Sequence, residues 1–344
     1  MGKTLYIIGN GFDRYHGLDT SYQSFAFFLQ DKHEQIHDYL INYYNLPYLD
    51  RDNILDDSYY QWSEFENKLA SLEFQEILDD NTDYLANPES PDFRDRDWHA
   101  YQFQMEKIVD DLTENLFKAF KEFILKVEFP ETIKDKKLYL NKSSIYLNFN
   151  YTNTLERYYD ISTDNILYIH KKANNPNDTL ILGHGINPDN FSIDSAIPEP
   201  PEDLSDEEYD EWEQNISDNY DFSYETGKDE LLTYFLKSFK KTEEIIQNND
   251  SFFQSIQDIN GVVVLGHSLS GIDKPYLTKV FKSIRNKKVK WTVSYFTENE
   301  KVTHKIKLIK LGLSENQIDL IKISNKKATI GNYLINLVRK VFRL

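Results

Sequence analysis

Thr4-Leu5-Tyr6-Ile7-Ile8-Gly9-Asn10-Gly11-Phe12-Asp13 is the stretch that decides the fold. Its opening run is apolar and β-prone without polar alternation, as in a parallel strand covered on both faces. Glycines at the C-terminal edge of such a strand let the backbone approach a phosphate closely. The hydride-transfer fingerprint G-x-G-x-x-G needs a further glycine where Arg14 stands, which disfavours an ordinary nicotinamide dehydrogenase. Thr20 and Gln23 have capping-box spacing, so a helix is expected from near Ser21, after a loop of about ten residues.

Further strand patterns recur at Ser144–Phe149, Asn165–Ile169, Thr179–Leu182, Gly261–Leu265, Val289–Phe296 and Ile318–Ile323. Helical patterns lie between them: Ser21 to about Tyr44, Trp62–Leu78, Trp98–Lys126, Leu231–Gln257, Pro275–Arg285 and Asn299–Leu311. The alternation indicates an α/β fold, with a Rossmann-like, mostly parallel sheet. Roughly 135 residues separate the first two strands, far more than one crossover needs, so a large helical insertion follows the first strand. The expected organisation is a nucleotide-binding core at 1–20 and 140–325 and a helical insertion at 21–139. An acidic insertion loop, with one short helix, is expected at 188–225 and a basic helix or tail at 326–344.

Composition narrows the function. The 344 residues contain no cysteine, which excludes disulfides, cysteine-ligated zinc, iron–sulfur clusters and a thiol nucleophile. The formal charge of −18 disfavours a global nucleic-acid binder. No apolar run is long enough for a membrane helix, and the chain opens on a strand pattern rather than a leader, so a cytoplasmic protein is expected. Charge is uneven: residues 271–344 carry a net +12 and residues 1–270 a net −30. Lys301 and Lys305 form a cationic stripe on a helix whose apolar side is expected to be Val302, Ile306 and Ile309. That stripe is expected to make an intramolecular or subunit contact, such as with Glu202–Glu213, rather than to bind nucleic acid.

Two motifs invite stronger readings. His33-Glu34-Gln35-Ile36-His37 matches the zinc-protease string H-E-x-x-H, but His33 falls on the apolar stripe of Phe25, Leu29, Ile36 and Leu40. No metal is expected. Gly266-His267-Ser268-Leu269-Ser270-Gly271 approximates a nucleophile elbow, with Asp273 and His304 downstream, and leaves a serine hydrolase using Ser268 as a minor alternative. The preferred reading is a second backbone loop at a strand end, where Ser268 and Asp273 can hydrogen-bond a ligand.

The other strand ends carry Asn150, His170 and the Gly183-His184-Gly185 run. Ligands of open parallel sheets bind outside the carboxyl ends of the strands, so these residues suit one crevice. Asn150 can hold an amide or a ribose hydroxyl by paired donor and acceptor, and His170 can act as a base near neutral pH.

These residues together resemble the AbiH family of bacteriophage abortive-infection proteins. The resemblance lies in the opening string with His16-Gly17-Leu18 and Thr20-Ser21-Tyr22, and in Trp62 with Glu66. It continues in the Asn148–Thr154 run, His170, and Leu265–Leu269 with Asp273. It implies a role in defence, in which an infected cell stops growing or dies. More distantly, the motif order is similar to sirtuin-like NAD-binding domains. That similarity implies that Gly9, Asn10, Gly11, Phe12 and Asp13 line the dinucleotide, Asn150 the ribose, and Gly266, Ser268 and Asp273 a later nucleotide loop. His170 would be the catalytic base. Lys171 stands where those domains have glycine, Thr152 replaces their acidic residue near Asn150, and the absence of cysteine gives no support to a zinc-containing deacetylase.

Two functions are therefore expected in the alternative: cleavage of NAD at the nicotinamide–ribose bond, or a non-catalytic nucleotide-sensing switch. A nucleotide is the expected small-molecule partner. A phage trigger, a protein partner and oligomerisation remain open, and no membrane is involved.

Overall fold

In the computed structural model, residues 3–52, 56–191, 200–201 and 204–323 are described. The expected C-terminal segment 326–344 lies outside them. The chain divides into two compact units, Met1–Phe28 with Phe120–Leu182 and Lys241–Leu344, and Leu29–Ala119 with Gly183–Lys240.

The first unit holds the sheet. Strands β1 (Thr4–Ile8), β2 (Ile145–Asn148), β3 (Ile166–Tyr168), β4 (Gly261–Leu265), β5 (Lys290–Tyr295) and β6 (Ile318–Lys322) are all parallel, in the order β3-β2-β1-β4-β5-β6. This is the doubly wound, Rossmann-like order that the opening strand led us to expect, with the switch of direction between β1 and β4. Alternate residues of β1 enter two cores. Leu5 and Ile7 join Leu147, Val262, Val264, Trp291 and Leu277, whereas Tyr6 and Ile8 join Tyr146, Val263, Leu265, Phe12 and Tyr159. Each fully buried aliphatic side chain contributes roughly 1.5–3 kcal/mol, which is why the strand needs no polar face. Tyr6 and Tyr146 stack at 4.9 Å across the β1–β2 pair.

Several local expectations change. The ten-residue loop after β1 is instead a two-turn helix, Asn10–His16, which Gly17 ends with a left-handed φ of +91°. The next helix spans Tyr22–Lys32, and the Ser21 hydroxyl accepts from the Ser24 amide at its start. Ser21–Tyr44 is not one helix but two, broken at His33, whose φ of −141° is not helical. Trp62–Leu78 and Leu231–Gln257 are likewise divided, the latter into Phe222–Lys237, Thr242–Asn248 and Asp250–Ser255. Thr179–Leu182 forms no strand. Its Ile181 amide donates to the His170 carbonyl at 3.0 Å and its Ile181 carbonyl accepts from the Tyr151 hydroxyl at 2.8 Å, so the segment is tied to the sheet edge by isolated bonds. His184 belongs to the second unit, where it bridges Phe239.

The second unit is helical. Gly227 of Phe222–Lys237 lies against the ring of Tyr101, so close that a Cβ there would come within 2.2 Å of it. The Tyr101 and Tyr234 hydroxyls donate to the Leu78 and Leu69 carbonyls, each at 2.7 Å, which satisfies their polar ends inside the unit. Lys240, fully buried, pairs with Glu66. The acidic stretch expected as a loop with one short helix contains a helix of 14 residues, Asp206–Asn219, started by a Ser205/Glu208 capping box.

The apolar side assigned to Val302, Ile306 and Ile309 is also corrected. On the helix Glu298–Leu311 these residues are 60%, 49% and 42% exposed, while His304 and Leu308 face inward. Lys301 and Lys305 pair locally with Glu298 and Glu315, each at 3.1 Å.

Candidate functional site

The register makes the C-terminal ends of four strands level: Ile8 pairs with Asn148 and Leu265, and Asn148 with Tyr168. The residues that follow each strand therefore emerge along one edge of the first unit.

At the switch point the glycines that follow β1 and β4 hold the two segments together. Gly9 donates to the Leu265 carbonyl at 3.0 Å, and Gly11 to the Gly266 carbonyl at 2.7 Å. Gly266 has φ +66°, and a Cβ there would stand 2.0 Å from the Phe12 nitrogen. Glycine is thus required here by backbone-to-backbone approach. Of the neighbouring residues, Phe12 is fully buried against His16 and Tyr159. The Asn10 amide donates to the Thr20 carbonyl at 2.8 Å and accepts from the Thr20 hydroxyl at 2.5 Å. Ser268 is exposed, and its carbonyl accepts from Lys307.

Beside this contact a polar cluster is sealed from solvent. Asp13 points inward from its short helix and accepts a hydrogen bond from Thr152, whose hydroxyl lies 3.0 Å from that of Thr154. Burial pushes the Asp13 carboxyl up to about 6, against the opposing effects of Thr152, Thr154 and the nearby Asn150 amide. Asn150 is set by its own backbone amide, which donates to Asn148 Oδ1 at 3.0 Å. The Asn150 amide favours the charged Asp13, yet neither of its polar atoms closes a hydrogen bond, and Asp13 Oδ1 also lacks one. Buried polar atoms without partners are uncommon, and a ligand is one way of satisfying them.

His170 follows β3 and is only 3% exposed. Its ring meets Phe149 and Tyr276 edge-on at 5.4 and 5.7 Å and stacks with Tyr151 at 6.0 Å. Lys171, in the position occupied by glycine in the sirtuin-like pattern, has φ +69°, a conformation glycine adopts without strain. Nε2 of His170 lies 3.8 Å from Asp273 Oδ1, and Nε2 of His267 lies 3.5 Å from Asp273 Oδ2. Burial holds His267 down to about 3, helped by His304 and Lys307, so it is neutral. The Leu269 amide donates to its Nδ1 at 2.9 Å, which leaves the proton on Nε2, toward Asp273.

Sequence reasoning brought together Asp13, Asn150, His170 and Asp273 at one edge but overlooked His267, Thr152, Thr154 and Tyr276. His267 lay in plain view within the Gly266–Gly271 motif, and its position just beyond β4 was the available signal.

The two rival motifs fall in different units of the chain. The metalloprotease string begins at the helix break, with His33 at the N-cap of the helix Glu34–Tyr43. His37, rather than His33, is the buried histidine, and it is held neutral chiefly by burial. Among the described residues no group of three or more His, Asp or Glu is arranged to hold a metal. The acid required by a serine hydrolase, Asp273, faces His170 and His267, whereas buried His304 lies near the backbone of Ser294 and Ser268.

A model of the bacteriophage abortive infection AbiH family matches residues 5–295. The chain belongs to the AbiH family. Family membership implies a part in abortive infection by bacteriophage, and the match spans all the candidate site residues. No curated protein matches this AbiH chain. Among its described residues no helix is long and apolar enough to cross a membrane.

Proposed function

We propose that this AbiH protein acts in phage defence by binding NAD at the edge of the β1, β2, β3 and β4 ends and cleaving its nicotinamide–ribose bond. The observation that carries the reading is the buried, unsatisfied amide of Asn150 beside Asp13, level with a histidine at the neighbouring strand end. A ribose has the paired hydroxyls to satisfy an amide, and the switch point of a doubly wound sheet is where dinucleotides bind. NAD is the substrate here. The C1′–N bond breaks with its electron pair leaving on nicotinamide, through an oxocarbenium-like state. Water attacks C1′ and yields its proton to His170, giving ADP-ribose and nicotinamide. Asn150 positions the ribose, and Gly9, the short-helix residues Asn10, Gly11, Phe12 and Asp13, and the β4-end residues Gly266 and Ser268 would flank the dinucleotide.

The test is nicotinamide release by purified protein, alone and with phage lysate. Release in either condition supports cleavage, and intact NAD in both, from folded protein, removes it.

The deep burial of His170 favours a second reading, a nucleotide sensor without chemistry. His170→Ala separates the two. Cleavage requires lost protection with NAD binding retained, whereas a sensor keeps both.

A further inference from the structure

We propose that Asp273 is a positioning residue for His170, fixed by Ser270 and His267, rather than a direct contact for the nucleotide. The proposal rests on the reading of His170 as the base. Asp273 sits at the N-cap of the helix Lys274–Ser283, yet its side chain makes no capping hydrogen bond to that helix. The carboxylate turns inward instead. The Ser270 hydroxyl donates to Oδ2 at 3.0 Å, and the Nε2–H of neutral His267 faces the same oxygen at 3.5 Å. Oδ1 is thereby presented to His170 Nε2 at 3.8 Å.

The surroundings make this contact matter. Among the described residues, the His170 ring meets the phenols of Tyr151 and Tyr276, from the β2 exit and from the helix, and Asp273 from that helix's cap. Phe149 adds an apolar wall between His170 and His267. In such a cage a protonated imidazole needs a negative charge within reach. When His170 accepts the proton of the attacking water, Asp273 supplies that charge from a place already fixed. His267 is unsuited to be a base itself, since its Nδ1 accepts from Leu269 and its proton faces the carboxylate. Its role is to hold Asp273.

The experiment is an NMR titration of the His170 imidazole in the whole protein, wild type against Asp273→Asn, with NAD affinity measured alongside. The midpoint of His170 is expected to fall by about one pH unit or more, as for loss of a facing carboxylate, while NAD binding changes less than about twofold. An unchanged midpoint in folded variant overturns the proposal, and so does a large loss of NAD affinity with the midpoint unchanged or shifted. If Asp273→Asn does not fold, Ser270→Ala serves. It frees one side of the carboxylate and should lower the midpoint in the same direction by less, and no shift there is equally fatal. In the cleavage assay, kcat should fall with KM little altered. Absence of nicotinamide release by wild type would instead overturn the cleavage reading, and the titration would still decide whether Asp273 governs His170.

Discussion

The Gly11 amide donates to the Gly266 carbonyl at 2.7 Å, so the helix that follows β1 and the turn that follows β4 are joined backbone to backbone at the switch point. Side chains at this junction have nowhere to go, and the substitution cost follows from that contact. Gly266→Ala adds a left-handed penalty to a collision with the Phe12 backbone and should cost on the order of 3–5 kcal/mol, or abolish folding. Gly271→Ala, where a Cβ would meet nothing within 4 Å, should be neutral. Paired urea melts are the check, and equal midpoints for the two variants would contradict the junction.

Asp13 should oppose stability at neutral pH. Its carboxyl titrates near 6 in the folded protein against 3.8 ordinarily, so between those values the native state binds the proton more tightly. Stability from this group is therefore greatest in acid and declines as pH rises from about 4 to 6, with a penalty of about 3 kcal/mol thereafter. Asp13→Asn keeps an acceptor for Thr152 and removes the charge. It should melt higher than wild type at pH 8, with the difference vanishing near pH 4. A lower melting temperature at pH 8 would contradict the assignment.

His16 acts in the opposite sense. Burial lowers it to about 4, while Phe12 accepts from its Nδ1 at 2.6 Å and its Nε2 meets the Tyr159 hydroxyl at 2.7 Å. The folded chain keeps the ring neutral, so its contribution is complete above about 6.5 and is lost as pH falls toward 4. Tyr159→Phe also removes the acceptor of the Leu138 amide and should cost about 1–3 kcal/mol by thermal denaturation at pH 7.5.

Lys301 and Lys305 are engaged locally with Glu298 and Glu315, both pairs at the surface. Reversing both lysines should leave the thermal midpoint nearly unchanged, as for exposed surface pairs. We expect no tight nucleic-acid binding in a gel shift at physiological salt. A submicromolar shift lost in the double reversal would overturn this expectation.

The strands β1 and β4 were legible in the sequence because runs such as Val262–Leu265 are buried on both faces and carry no polar interruption, and β5 and β6 were legible from apolar residues alternating with Thr292, Ser294 and Asp319. Thr179–Leu182 carries the same apolar signature but spends it on isolated bonds to His170 and Tyr151, which no local pattern distinguishes from a ladder. The short helix after β1 was hidden by its glycines, although Gly17 after His16 is the residue that commonly closes a helix. The helix breaks at His33 and after Lys237 fall at positions without Gly or Pro, so nothing in local propensity announced them. In the site, the strand-end residues could be read from position alone. The grip of His267 on Asp273 could not, because it depends on the turn in which Leu269 adopts φ +53°.

Ile8 lies level with Asn148, and β2 is only four residues long. A strand alternates faces at each residue, so one inserted residue before Asn148 would flip Tyr146 away from Tyr6 and carry Asn150 off Asp13. Two inserted residues would restore the face but overshoot the carboxylate by about 7 Å. The pleat therefore acts as a ruler that reads only in whole strands. Length variation among descendants of this chain is expected in the helical stretches, where an extra turn can be absorbed, and not in the short strands that measure out the distance between carboxylate and amide.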